Sequence, residues 1–125
     1  MLRNQHGVTL VEVVIAMGLV FMALLALSGL AAVSLKGAAT AKHLTTATFL
    51  AQEKLEDAKL TGYNPTIVSA VEVVEPYESL SEFPLYKRVL TIDPHTPTSG
   101  LQTVTVTVSW ADDEHSVSLA TILAE

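Results

Sequence analysis

The chain has 125 residues, half of them apolar and 16% charged, and its 13 acidic against 7 basic residues give a net charge of −6. That length holds one small domain and hardly two, and the acidic balance argues against nucleic acid as a partner, because phosphate binding needs clustered Lys and Arg. With no cysteine there is no disulfide framework, thiol nucleophile or Cys-based zinc site.

The mean hydropathy of +0.43 is high for a soluble domain, and the excess is local. Residues 13–27 (VVIAMGLVFMALLAL) contain no polar side chain, and allowing Ser28 the run reaches Val33. A helix needs about 20 such residues to cross a hydrocarbon core, so this segment predicts a membrane span. A cleaved secretory signal is opposed by three features. The run exceeds the roughly 7–15 residues of a signal's apolar region. An acidic residue, Glu12, stands at its start. No clear A-x-A site follows, the sequence at 31–33 being Ala-Ala-Val. A plain single-pass anchor is the stronger alternative. Arg3 and His6 precede the run and Lys36 and Lys42 follow it; with the initiator amine, the first group favours a cytoplasmic N-terminus and a periplasmic remainder.

Glu12 needs explaining, since a carboxylate in an apolar helix is expensive and is usually paired and functional; the alternative is a place among lipid headgroups. The stretch Gly7-Val8-Thr9-Leu10-Val11-Glu12-Val13 resembles the class III leader site of type IV pilins and pseudopilins. That site is a short leader ending in Gly, a residue usually Phe, then T-L-x-E-[VL]. The resemblance implies a leader over 1–7, cleavage by a prepilin peptidase between Gly7 and Val8, and N-methylation of Val8. It makes Glu12 the fifth mature residue, the glutamate that neutralises a neighbouring subunit's N-terminal amine during assembly. In a helix starting at Val8, Val8 and Glu12 stand at i and i+4 on one face. Pairing the new ammonium with the carboxylate there removes an uncompensated charge. Val8 departs from the usual Phe, and Gln5 and His6 stand where Lys or Arg is common.

Beyond Leu35 the positions Ala41, Leu44, Thr48, Ala51, Leu55 and Ala58 recur at spacings of three and four, with Lys42, Gln52, Glu53, Glu56 and Lys59 opposite. This predicts one helix over about 8–60, apolar all round as far as 35 and amphipathic over 36–60. Gly62 is its expected C-cap, with Pro65 beyond. Gly18 and Gly29 share a face three turns apart and read either as close-packing or flexible positions or as ordinary membrane-helix glycines. Gly37 belongs with Gly29 as a candidate flexible point.

Residues 61–86 hold Glu72, Glu75, Glu78 and Glu82 but no Lys or Arg, and are broken by Pro65, Pro76 and Pro84. They predict a connecting segment with one short strand at 66–74. Residues 85–92, 103–110 and 116–123 predict three antiparallel strands packed on the amphipathic helix half. Val104, Val106, Val108 and Trp110 lie on one face of the middle one, and Val117, Leu119 and Leu123 on one face of the last. The predicted class is α+β, the pilin lollipop: one long N-terminal helix, transmembrane then amphipathic, packed on a small C-terminal antiparallel sheet in a head over 61–125.

Ala51-Gln52-Glu53-Lys54-Leu55-Glu56 and the closing VTVTVSW and VSLAT segments resemble the PilV-type minor pilins and the I-type pseudopilin of type II secretion. Nothing predicts catalysis, a cofactor or a metal. His6, His43, His95 and His115 have no metal-ligand spacing, the glycines form no phosphate loop, and Asp113, His115 and Ser116 are too local for a triad. Asp112, Asp113 and Glu114 read as a turn rather than a Ca²⁺ site, and Lys87-Arg88 as the solvated face of a strand. The resemblance implies a structural minor pilin, cut after Gly7 and assembled into or priming a pilus. Its implied partners are the prepilin peptidase, other minor and major pilins, and the inner-membrane assembly platform, first in the inner membrane and then in the filament. The alternatives are a pseudopilin of a secretion or DNA-uptake machine and, in another class, an uncleaved membrane-anchored periplasmic binding domain.

Overall fold

The computed structural model describes residues 7–125; of the expected leader, residues 1–6 with Arg3, Gln5 and His6 lie outside the described residues. The fold is α+β, as expected: one long helix, α1 (Leu10–Thr61), and four strands, β1 (Val71–Glu75), β2 (Tyr86–Pro94), β3 (Leu101–Trp110) and β4 (His115–Ala124). The chain divides into two compact units, Met1–Thr40 and Ala41–Glu125.

In the first unit the described residues are helical from Leu10 and exposed throughout. The most apolar 18-residue window of α1 has a mean hydropathy of 2.7 and is 0% buried. Ser28 donates its hydroxyl to the Leu24 carbonyl at 2.8 Å, so even this polar group is satisfied within the helix, as an apolar surrounding requires. The helix continues without a break through Gly18, Gly29 and Gly37. A Cβ built on any of the three meets nothing within 4 Å.

In the second unit the strands form one antiparallel sheet in the order β1-β2-β3-β4. The registers run Val71↔Ile92, Tyr86↔Trp110 and Leu101↔Ala124. The alternation in β3 decides its faces: Val104, Val106 and Val108 are 0% exposed and Trp110 is buried beside them. They pack with Tyr86 against Ala47, Leu50, Ala51 and Leu55 of α1, and Leu90, Ile92, Val117, Leu119 and Leu123 complete the same layer. The strict polar-apolar alternation of TVTVTVSW therefore builds a one-sided core.

Four differences from the sequence reading have physical causes. The buried stripe of α1 runs through Ala47, Leu50, Ala51 and Leu55, while Ala41 is exposed and Leu44 is 49% exposed. Ala51, Leu55 and Ala58 of the expected stripe do face the core, which takes Ala47 and Leu50 in place of Ala41 and Leu44. The small Ala47 and Ala51 on the buried face let the sheet approach the helix backbone. The early strand occupies Val71–Glu75 and joins the sheet as a fourth strand, on the edge of β2 that β3 leaves free. His115 belongs to β4, so the last turn is shorter than expected. Ala111, Asp112 and Asp113 all have positive φ there (55°, 54° and 67°). Asp tolerates that conformation well, and Asp113 is also pinned. It accepts hydrogen bonds from Lys87 Nζ at 2.7 Å and from the Tyr77 hydroxyl at 3.0 Å. The Lys87 ammonium holds the Asp113 carboxyl below its ordinary range.

The fourth difference is Arg88, which is 7% exposed rather than solvated. Its guanidinium donates to Glu75, to the Leu50 carbonyl at 3.2 Å and to Glu53 at 3.4 Å, and Lys54 reaches the other oxygen of Glu75 at 3.2 Å. The fork geometry of Arg suits this, joining β1, β2 and α1 by one planar group. Alternation puts Arg88 on the core side with Tyr86 and Leu90, and burial follows. Arg88 bonding lowers the pKa of Glu75, against an opposing effect of its own burial. A carboxylate so depressed stabilises the fold above its unfolded pKa, and that stability is lost as pH falls through the folded value. Glu75→Gln is therefore expected to lower stability at pH 7 by on the order of 1–3 kcal/mol, the cost of removing a charged partner from a buried group. It is also expected to flatten the decline of thermal midpoint below about pH 4.5. Thermal unfolding of the detergent-solubilised chain against pH checks both.

Candidate processing and assembly site

The site begins at an irregular segment. Gly7, Val8 and Thr9 are non-helical and exposed, with Val8 69% exposed, so the peptide bond between Gly7 and Val8 lies in backbone free of helical hydrogen bonds. Such a bond is one a peptidase can take in extended form. Helix α1 starts two residues later because Thr9 caps it. The Glu12 amide lies 3.3 Å from the Thr9 hydroxyl and 3.1 Å from the Thr9 carbonyl, and the Val13 amide lies 3.2 Å from that carbonyl. Val8 accordingly stands before the helix, not one helical turn from Glu12. The sequence signal for this is the spacing Thr-x-x-Glu of a capping box, present at Thr9 and Glu12.

Glu12 is the acidic residue of the first turn, where a carboxylate opposes the positive end of the helix dipole. It is exposed, and among the described residues it forms no ion pair. Val8, Glu12, Val13, Ala16, Met17, Val20, Phe21 and Leu24 line one shallow, largely apolar groove along the helix. The structure thus brings Val8 and Glu12 to the same strip of surface. Gly18 and Gly29 lie further along the same helix, on open surface.

Residues 2–33 match the family described as the prokaryotic N-terminal methylation motif. The match covers about a quarter of the chain and includes Gly7, Val8, Glu12 and the apolar run. It supports a type IV pilin-like or pseudopilin class, which is structural rather than catalytic. The motif implies processing by a prepilin peptidase and assembly with other pilins, and the apolar helix near the N-terminus fits membrane anchoring. No curated protein and no solved structure matches the chain.

Chemically the site can present a cleavable bond, a new amine and a carboxylate within one apolar strip. An ammonium at Val8 would lie just ahead of the positive end of α1, where cations are disfavoured. The carboxylate of Glu12 is the nearest compensating charge in the motif. Among the described residues no three His, Cys, Asp or Glu side chains are placed to hold a metal ion.

Thr9→Ala removes the side-chain cap. The expected cost is about 1 kcal/mol, local to the helix start. Hydrogen exchange at the amides of Glu12 and Val13 should quicken by about fivefold, with the amides of β3 unchanged, as measured by mass spectrometry in micelles.

Proposed function

We propose that this chain is a minor pilin, a structural subunit that assembles into or primes a type IV pilus. A prepilin peptidase cuts the precursor between Gly7 and Val8 and methylates the Val8 amine. Residues 8–35 act as the membrane and then filament-core helix, and residues 61–125 as the head. The N-terminus lies in the cytoplasm and the head in the periplasm until assembly. Glu12 neutralises the Val8 amine of a neighbouring subunit, and Gly18 and Gly29 are close-packing positions. Its partners are other pilins, through the helix, and the inner-membrane assembly platform.

The observation that carries this reading is one carboxylate in the first turn of a helix that is otherwise apolar on every side, just behind an exposed Gly7–Val8 bond. A plain anchor has no use for that charge. An assembling subunit uses it twice, to offset the new ammonium and to set the axial register of one helix against the next. The pairing is favourable because the apolar surrounding leaves either charge costly alone.

The test is the N-terminal peptide and intact mass of the protein in sheared filaments and in membranes. A start at N-methylated Val8, with the protein present in filaments, is expected. A start at Met1 in both fractions overturns the reading and leaves a tethered domain. Glu12→Gln keeps size and polarity but removes the charge. It is expected to be processed normally and to be lost from filaments. A deletion strain that keeps its pili but fails to export protein would transfer the reading to a secretion pseudopilin.

A further inference from the structure

The two edges of the sheet differ. At one edge, Glu125 donates its amide to the Gly100 carbonyl at 3.1 Å, continuing the β3–β4 register. Antiparallel alternation then points the N–H and C=O groups of Ser116, Ser118, Ala120, Ile122 and Ala124 away from β3. Among the described residues no strand pairs with them. Long edges are usually blunted by Lys, Pro, a bulge or inward charge. The ten residues of β4 contain no Lys, Arg, Asp, Glu or Pro. At the other edge, β1 is five residues long and all but Glu75 are exposed. Glu75 is engaged by Arg88 and Lys54. Val71 and Val73 lie on the core side of the sheet, by their register with Ile92 and Leu90, yet are 37% and 44% exposed.

Strand order adds a constraint. Four antiparallel strands in sequence order leave β1 and β4 running in opposite directions. A second copy displaced sideways without being turned round therefore brings its β1 antiparallel to β4. A copy turned by a two-fold axis normal to the sheet brings β4 antiparallel to β4 instead, and leaves both β1 edges unpaired. We propose that the β4 edge docks the β1 edge of a second copy held in the same orientation. The inference rests on the reading of the chain as a subunit anchored by its apolar helix, because anchoring in one membrane brings copies side by side.

The chemistry of the edges agrees. The chain carries a net charge of −6, yet β4 presents no carboxylate to Glu72 of the incoming strand. The incoming Val71 and Val73 extend the row made by half-buried Val117, Leu119 and Leu123. Backbone pairing supplies the attachment, as in other strand additions. The contact is about 17 Å long at ~3.4 Å per residue, too short to stand alone as a stable interface. Anchoring raises the effective concentration, so the contact forms between tethered copies and not in dilute solution. Being head-to-tail, it is open and can propagate.

The cysteine-free chain allows a direct test in membranes. Glu72→Cys and Ser118→Cys are introduced on the exposed outer side of the two edges, alone and together, and treated with a short bis-maleimide. Ala39→Cys in α1 reports whether copies are neighbours at all. The double variant is expected to give dimers, trimers and higher species, and each single variant monomer. Adding Ala120→Lys, an edge lysine at an exposed position, should cut the multimers by roughly tenfold with an unchanged thermal midpoint. Dimers from Ser118→Cys alone, as abundant as from the double variant, would mean β4 pairs with itself and would overturn the inference. A monomeric double variant alongside cross-linked Ala39→Cys also overturns it, leaving the assembly reading intact. If Ala39→Cys too stays monomeric, copies of this chain are not neighbours and the inference fails, while the assembly reading is decided by the processed N-terminus.

Discussion

The first part of α1 is apolar and exposed on all sides, a surface that is costly to leave in water, and the site at its N-terminal end depends on that. The described part of the first unit buries none of its apolar surface against its own chain. Lipid or other helices must cover it. Within that surface one carboxylate, Glu12, is held in the first turn by a capped helix start. Thr9 serves two purposes at once: it starts the helix, and by doing so it leaves the Gly7–Val8 bond outside helical bonding.

The second unit answers a different need. A small sheet with one covered face must be held to its helix by few side chains. The core does this with small residues on the helix and β-branched residues on β3, a close fit of Ala47 and Ala51 under Val104, Val106 and Val108. Arg88 then ties the short β1 to both β2 and α1. Aromatic packing closes the end of the sheet nearest the last turn. His43 stacks over Trp110 with ring centroids 6.4 Å apart and meets the Tyr86 hydroxyl at 2.8 Å, while His115 lies 5.6 Å from Trp110. Histidines that had no role in the sequence reading are here part of the packing.

The acidic middle of the chain shows how context changes a side chain's meaning. Glu75 belongs to an acidic run that the sequence places in a connecting segment, yet it is the partner of a buried guanidinium. Lys87 and Arg88 are adjacent and alternate across the strand. One meets Asp113 in the last turn and the other enters the core side. A two-residue basic pair is therefore two unrelated interactions, separated by the pleat of the strand.

The sequence by itself determined the long apolar helix, the Gly62 cap, the faces of β3 and β4 and the α+β class. Each of these depends on residues near one another in the chain, through periodicity or through a single backbone conformation. The T-x-x-E cap at Thr9 was legible on the same terms. Tertiary structure alone decided where the buried stripe begins, the recruitment of β1 and the burial of Arg88. Only contact with β3 selects Ala47 and Leu50 over Ala41 and Leu44. Whether five residues such as Val71–Glu75 form a strand depends on a neighbour that offers a free edge. Arg88 is buried because Glu75, Glu53 and the Leu50 carbonyl converge on it. They come from positions 13 to 38 residues away in the chain, a convergence that no local pattern encodes.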